Sequence, residues 1–130
     1  MLKGILKTVG TALAIGLLVP AAATAQMEHP ASTEATITGT VIDLDCKFRN
    51  GLSGEKHRMC AQVCADNGLP LAILGSDGNL YMAVGGGMPG DPQNARLKDF
   101  AEQQVTITGK VYEAGSAKAI EIESIERTSS

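Results

Sequence analysis

The chain has 130 residues, with 11 basic against 14 acidic side chains, two Phe, two Tyr and no Trp. An acidic chain so poor in aromatics has neither the positive surface nor the stacking platforms of a nucleic-acid binder. It also lacks a polybasic patch for an anionic membrane surface, and its core must be built from Val, Ile, Leu and Ala.

The first segment reads MLKGILKTVGTALAIGLLVPAAATAQ. Lys3 and Lys7 form a positive head, residues 9–19 an apolar run, and Pro20 ends that run. Ala23, Thr24 and Ala25 supply small residues beside a cut. This three-part pattern predicts a cleavable secretion signal over 1–25, cut after about Ala25, and a mature protein that is periplasmic or secreted. The apolar run is too short for a bilayer span, and no Cys stands near the cut to take a lipid, so no membrane anchor is expected after cleavage. Loss of Lys3 and Lys7 takes the formal net charge from −3 to −5. All three Cys lie in the mature part. An oxidising compartment permits disulfides, and an odd count leaves at least one thiol without an internal partner.

Residues 26–34 (QMEHPASTE) are polar and patternless and read as a flexible arm, with His29 as a solvated tail residue. A single domain is expected over 35–127. Residues 35–44 (ATITGTVIDL) alternate and are β-branched, which predicts a strand, and the Gly39 within it points to a bulge or barrel corner. A helix is predicted over 54–67 (GEKHRMCAQVCADN), capped by Ser53 and ended by Gly68 and Pro70. Residues 70–84 read as a hairpin, PLAILG and LYMAV about a Ser76-Asp77-Gly78-Asn79 turn. Met82 is read there as core filler.

The stretch GGGMPGDPQN, 85–94, is a loop without the Lys-Ser/Thr ending of a phosphate loop. Asp91 or Asn94 is placed to cap a short helix over 93–102 with Leu97 and Phe100 inward. Residues 104–112 (QVTITGKVY) repeat the Thr-Ile-Thr-Gly-x-Val of 36–41 and predict a strand bent like the first. A last strand over 118–125 turns Ile120 and Ile122 inward and Glu121 and Glu123 outward. The expected fold is mainly β with some α: a small five-stranded barrel of the oligonucleotide/oligosaccharide-binding (OB) type with two short helices.

The chemistry-bearing residues fall in one cluster, Cys46-x10-His57-x2-Cys60-x3-Cys64. At 100° per residue, positions 57, 60 and 64 form one stripe within about 60°. Cys46 closes the first strand, before a loop that can return it to that stripe. Three sulfurs and an imidazole suit one Zn(II) or Cu(I) ion. On an ideal helix His57 and Cys64 stand about 10.5 Å apart. A comfortable site therefore uses Cys46, Cys60 and one of the other two, and fraying of the helix start at 53–56 eases it. The alternative is a staple: a disulfide from Cys46 to Cys60 or Cys64, leaving the third Cys free. A thiol-redox role is the third possibility. Asp43 and Asp45, beside Cys46, are read as a solvated strand end. No Ser/His/Asp constellation or paired carboxylate suggests an enzyme.

The order TGTVIDLDC, then GEKHRMCAQVCADNGLPLAIL, then GNLYMAV and VTITGKVYEAGSAKAIEIESI resembles a family of small exported bacterial proteins of unassigned function. That family's motif is a strand ending in Cys, then His-x2-Cys-Ala-x2-Cys, then Gly-x-Pro. Here it falls on Cys46, His57, Cys60, Ala61, Cys64, Gly68 and Pro70. The resemblance covers nearly the whole mature domain and implies a shared OB-like barrel, but no activity. The loop 85–94 departs from the pattern: Met88 stands where a His is expected after the third strand. That removes a second imidazole ligand and favours a soft metal.

The sequence thus predicts an exported protein that binds one transition-metal ion, Cu(I) or Zn(II), through Cys46, His57, Cys60 and Cys64, for carriage, buffering or sensing rather than catalysis. Its partners would be the ion and another exported protein, not nucleic acid. A disulfide-stapled module without metal and a thiol-redox protein are the competing expectations.

Overall fold

The computed structural model describes residues 29–128, so the segment read as a secretion signal lies outside the described residues. Five strands, β1 (Ser32–Asp43), β2 (Leu71–Gly75), β3 (Leu80–Val84), β4 (Gln104–Ala114) and β5 (Ala117–Arg127), close into a barrel in the order β1-β2-β3-β5-β4. Only the β3–β5 pairing is parallel; the other four are antiparallel. Closure leaves no free sheet edge to be protected. The expected small OB-like barrel is what the chain forms. Its helices number three among the described residues: α1 (Leu44–Asn50), α2 (Arg58–Asp66) and α3 (Asn94–Leu97). No helix among the described residues is long and apolar enough to cross a membrane.

The two Thr-Ile-Thr-Gly copies are more than two strands bent alike. They lie against each other in antiparallel register, Thr36 opposite Thr108 and Ile37 opposite Ile107, with the two threonine hydroxyls 3.2 Å apart. Each glycine sits where a neighbouring strand passes too close for a side chain. A Cβ at Gly39 would fall 2.6 Å from Leu74 O, and one at Gly109 would fall 2.1 Å from Glu121 O. At Gly109 the β4–β5 register slips, as a bulge requires.

Side-chain alternation fills the barrel with Ile37, Val41, Ile73, Tyr81, Val105, Ile107, Val111, Ile120 and Ile122, and Leu97 from α3 packs against them. The expected inward residues Leu97, Ile120 and Ile122 are buried there, with Phe100 packed against the cluster part-exposed.

Several local expectations are corrected. β1 begins at Ser32, inside the polar stretch, because Ser32–Glu34 pair with Lys110–Tyr112 of β4. Leu44–Asn50, expected as the end of the strand up to Cys46 and then a loop, form α1. Ser53 caps nothing: Gly54 precedes a 3₁₀ turn at Glu55–His57, and α2 starts only at Arg58. Gln93 rather than Asp91 or Asn94 stands at the α3 N-cap, and no side chain caps that helix. Met82 is 42% exposed, on the outer face of β3, because its neighbour Tyr81 takes the inward position. Tyr81 is held there by donating to Asp77 Oδ2 at 2.6 Å.

Leu97→Ala should therefore cost about 2–5 kcal/mol, which lowers the thermal midpoint by roughly 10 °C or more in a domain this size. Met82→Ala should shift it by a few degrees at most. Melting curves of the two variants check both placements.

Candidate metal centre

The cluster is built in the connection from β1 to β2, where the chain leaves the barrel wall, makes α1, the 3₁₀ turn and α2, and returns at Leu71. Asp43, the last residue of β1, is the N-cap of α1: its Oδ1 accepts from the Cys46 amide at 3.1 Å. This is the standard action of an Asp cap on a free helix-start N–H. It stops the strand and turns Cys46 into the first turn of a helix, where the thiol is buried. Gly51, at φ 66°, ends α1 and sends the chain back towards the barrel.

Glycine also ends α2. Gly68, at φ 88°, donates to Ala65 O, and Leu69 donates to Cys64 O, a Schellman closure. Asn94 then pins this end. Its Nδ2 donates to Ala65 O and Leu69 O, and its Oδ1 accepts from Leu71 N–H. Arg58 and Gln62 donate to the carbonyls of Asp99 and Lys98, and Lys98 pairs with Asp66. Residues 58–66 are thus held between the barrel and the segment that carries Glu102.

Within this frame the cluster resolves into two overlapping groups. Cys46, His57 and Cys60 each offer a ligand atom within 4.8 Å of the others, and so do Asp43, Cys46 and Cys64. Cys46 belongs to both. The structure therefore brings together all four residues singled out in the sequence, but not as one tetrahedral set: His57 and Cys64 fall into different groups. α2 starts late, after a 3₁₀ turn ending at His57, yet His57 and Cys64 still do not share one group. The three thiols are free.

Two residues that sequence reasoning passed over complete the site. Glu102 is buried, at φ 59°. Its amide donates to Val41 O at 2.8 Å, while Gln103 O accepts from Val41 N–H, so the turn is stitched to β1 two residues before Asp43. Glu102 Oε2 accepts from Gly54 N–H at 2.8 Å, and Oε1 lies 2.9 Å from His57 Nδ1. A carboxylate only accepts, so Nδ1 is the donor of this pair, and in the neutral imidazole that leaves the lone pair on Nε2. That Nε2 is buried and has no hydrogen-bond partner. An imidazole held by a carboxylate through one nitrogen and free at the other is how proteins orient a metal-binding His.

Asp43 is the second overlooked residue, read as solvated yet only 1% exposed. Its Oδ2 has no partner that meets ordinary hydrogen-bond geometry, so its contact with the thiols is a loose one. It nevertheless sets their chemistry. The Cys64 thiol is pushed up to about 12, first through its interaction with the Asp43 carboxylate and then by burial. Cys46 is also raised, first by burial and then by Asp43. Both hold their protons at neutral pH.

The sign of the consequence is fixed. A thiol whose folded value lies above its unfolded one favours the folded state below the unfolded value of about 9 and loses that contribution as pH rises towards 12. The metal-free protein should therefore lose stability progressively from about pH 9 upward, and Cys64→Ala should flatten that loss. Denaturant midpoints at pH 8 and pH 10.5 measure it; equal losses in the two proteins would contradict it. Glu102→Ala leaves His57 Nδ1 and Gly54 N–H without their acceptor and should cost about 1–3 kcal/mol for each group, read in the same denaturation.

In comparisons with known proteins, no family model, curated protein or solved structure matches the chain, so what this site does has to be argued from its own residues.

Proposed function

We propose that this is an exported protein that binds a Cu(I) or Zn(II) ion through Cys46, Cys60 and His57 Nε2 and carries or buffers it outside the cytoplasm. The observation that carries the reading is the buried, unpartnered Nε2 of His57, grouped with two sulfurs and oriented from behind by Glu102. A buried polar atom without a hydrogen-bond partner is unusual, and a metal ion held with the neighbouring sulfurs would give Nε2 one.

Two thiolates and an imidazole form a ligand set for either ion. A three-ligand arrangement suits Cu(I), whereas Zn(II) would complete four with a further ligand or water. Carriage rather than a sealed structural role is supported by the unequal burial of the thiols: Cys46 is buried, Cys60 exposed. An incoming thiolate can displace the exposed ligand while the buried one still holds the ion. Met59 and Val63, exposed on the same helix as Cys60, give an exported partner an apolar surface beside that exit. Export itself is supported by the pattern of residues 1–25, and the resemblance to small exported bacterial proteins agrees with it.

Titration of the fully reduced protein with Cu(I) and with Zn(II) against a competing chelator tests the proposal. Wild type should bind one of these ions far more tightly than Cys60→Ser. Glu102→Gln should lose about 10–100-fold, as expected of a residue that orients a ligand. Binding releases thiol protons, so affinity should rise with pH. Equal affinity in wild type and Cys60→Ser contradicts the site. A single free thiol in protein denatured without reductant supports the disulfide-stapled module instead.

A further inference from the structure

The second group, Asp43, Cys46 and Cys64, is not needed for the ion just described, yet it has the same construction. Each group contains one buried side-chain atom without a hydrogen-bond partner, His57 Nε2 in the first and Asp43 Oδ2 in the second. Asp43 is held rigidly, since its other oxygen is engaged by the Cys46 amide. A carboxylate oxygen of a side chain only 1% exposed, met by no more than the loose thiol contacts, is costly to bury unless a cation meets it. Cys46 lies within 4.8 Å of the ligand atoms of both groups, and a thiolate sulfur has lone pairs for two metal ions.

We infer that the centre has a second cation position, at Asp43 Oδ2, Cys46 Sγ and Cys64 Sγ, joined to the first through Cys46 as a bridging thiolate. This rests on the proposed metal-binding function and extends it. The donor sets differ, and so does the chemistry they select. The first position offers sulfur and imidazole only. The second adds a carboxylate, which suits Zn(II) better than the soft Cu(I) ion. Binding of a divalent ion there replaces the Cys46 and Cys64 thiol protons, which leave to solvent, and no electron is transferred. The second position is also the inner one. Its three residues are buried or part-buried, whereas the first position opens at Cys60. An ion therefore enters at Cys60 and His57, and the inner position fills from it.

The test is the number of Zn(II) ions held by the reduced, purified protein, measured by metal analysis after removal of loosely bound ion with a weak chelator. Wild type should hold two. Asp43→Asn should hold one: the Asn oxygen still caps the Cys46 amide, so the helix start is kept while the anion is lost. Cys64→Ser should likewise hold one, and a native circular-dichroism spectrum and melt establish that each variant is folded. Cys46→Ser, which removes the bridge, should hold none tightly. One ion in wild type, unchanged in Asp43→Asn and lost in Cys60→Ser, overturns the second position and leaves the first intact. No ion in wild type overturns the second position and excludes Zn(II) from the first, which then stands or falls on the Cu(I) titration. Two ions in folded Asp43→Asn and in folded Cys64→Ser overturn the assignment of these residues.

Discussion

One hydrogen bond, from the Cys46 amide to Asp43 Oδ1 at 3.1 Å, determines where the cluster can form. A strand running on past Asp43 would carry the Cys46 sulfur along the barrel wall by the strand's period of two. The cap instead stops β1 at that residue and winds the next seven into α1, so that the sulfur is buried against His57 and Cys60 on one side and Cys64 on the other. The same carboxylate that makes this turn leaves its second oxygen in the cluster. Structure and site chemistry therefore hang on a single side chain: it caps a helix, raises two thiols, and presents a buried carboxylate oxygen.

The barrel supplies the rigidity that this arrangement needs. Glu102 reaches His57 only because its turn is stitched to Val41 by two backbone hydrogen bonds, and Val41 is a fully buried residue of β1. Asp43 and Glu102 are thus fixed to the same strand, one directly and one across the β1–β4 corner. The ligands on α2 hang from the same region through Arg58, Gln62 and Asn94. A ligand set held this way would lose little ordering entropy on binding an ion, which suits the proposed uptake and release.

Much of this was legible in the sequence. The β-branched alternation of 35–44 and 104–112, and the glycines within them, predict strands bent at Gly39 and Gly109. The spacing of His57, Cys60 and Cys64 predicts a stripe, and the return of Cys46 to it follows from the length of chain between them. Asp43 and Glu102 were hidden for different reasons. An Asp at a strand end most often faces solvent, and Asp43-Leu44-Asp45-Cys46 continues the strand's period of two, so the cap is not announced by a change of pattern. Glu102 is 45 residues from His57, in a turn at positive φ that a non-glycine residue seldom adopts. No local pattern signals such a partner. Met82 was misplaced because a five-residue strand can be read in either parity. The choice is made by the Tyr81–Asp77 hydrogen bond, a tertiary fact outside the pattern of apolar residues.

In the proposed centre, sulfur from α1 and sulfur and imidazole from the α2 region hold a metal together. X-ray absorption at the metal edge of protein saturated with Zn(II) tests it most directly. The account predicts sulfur neighbours at about 2.3 Å together with imidazole nitrogen at about 2.0–2.1 Å, and loss of sulfur scattering in Cys46→Ser. A shell of oxygen and nitrogen alone, unchanged by that substitution, would contradict it.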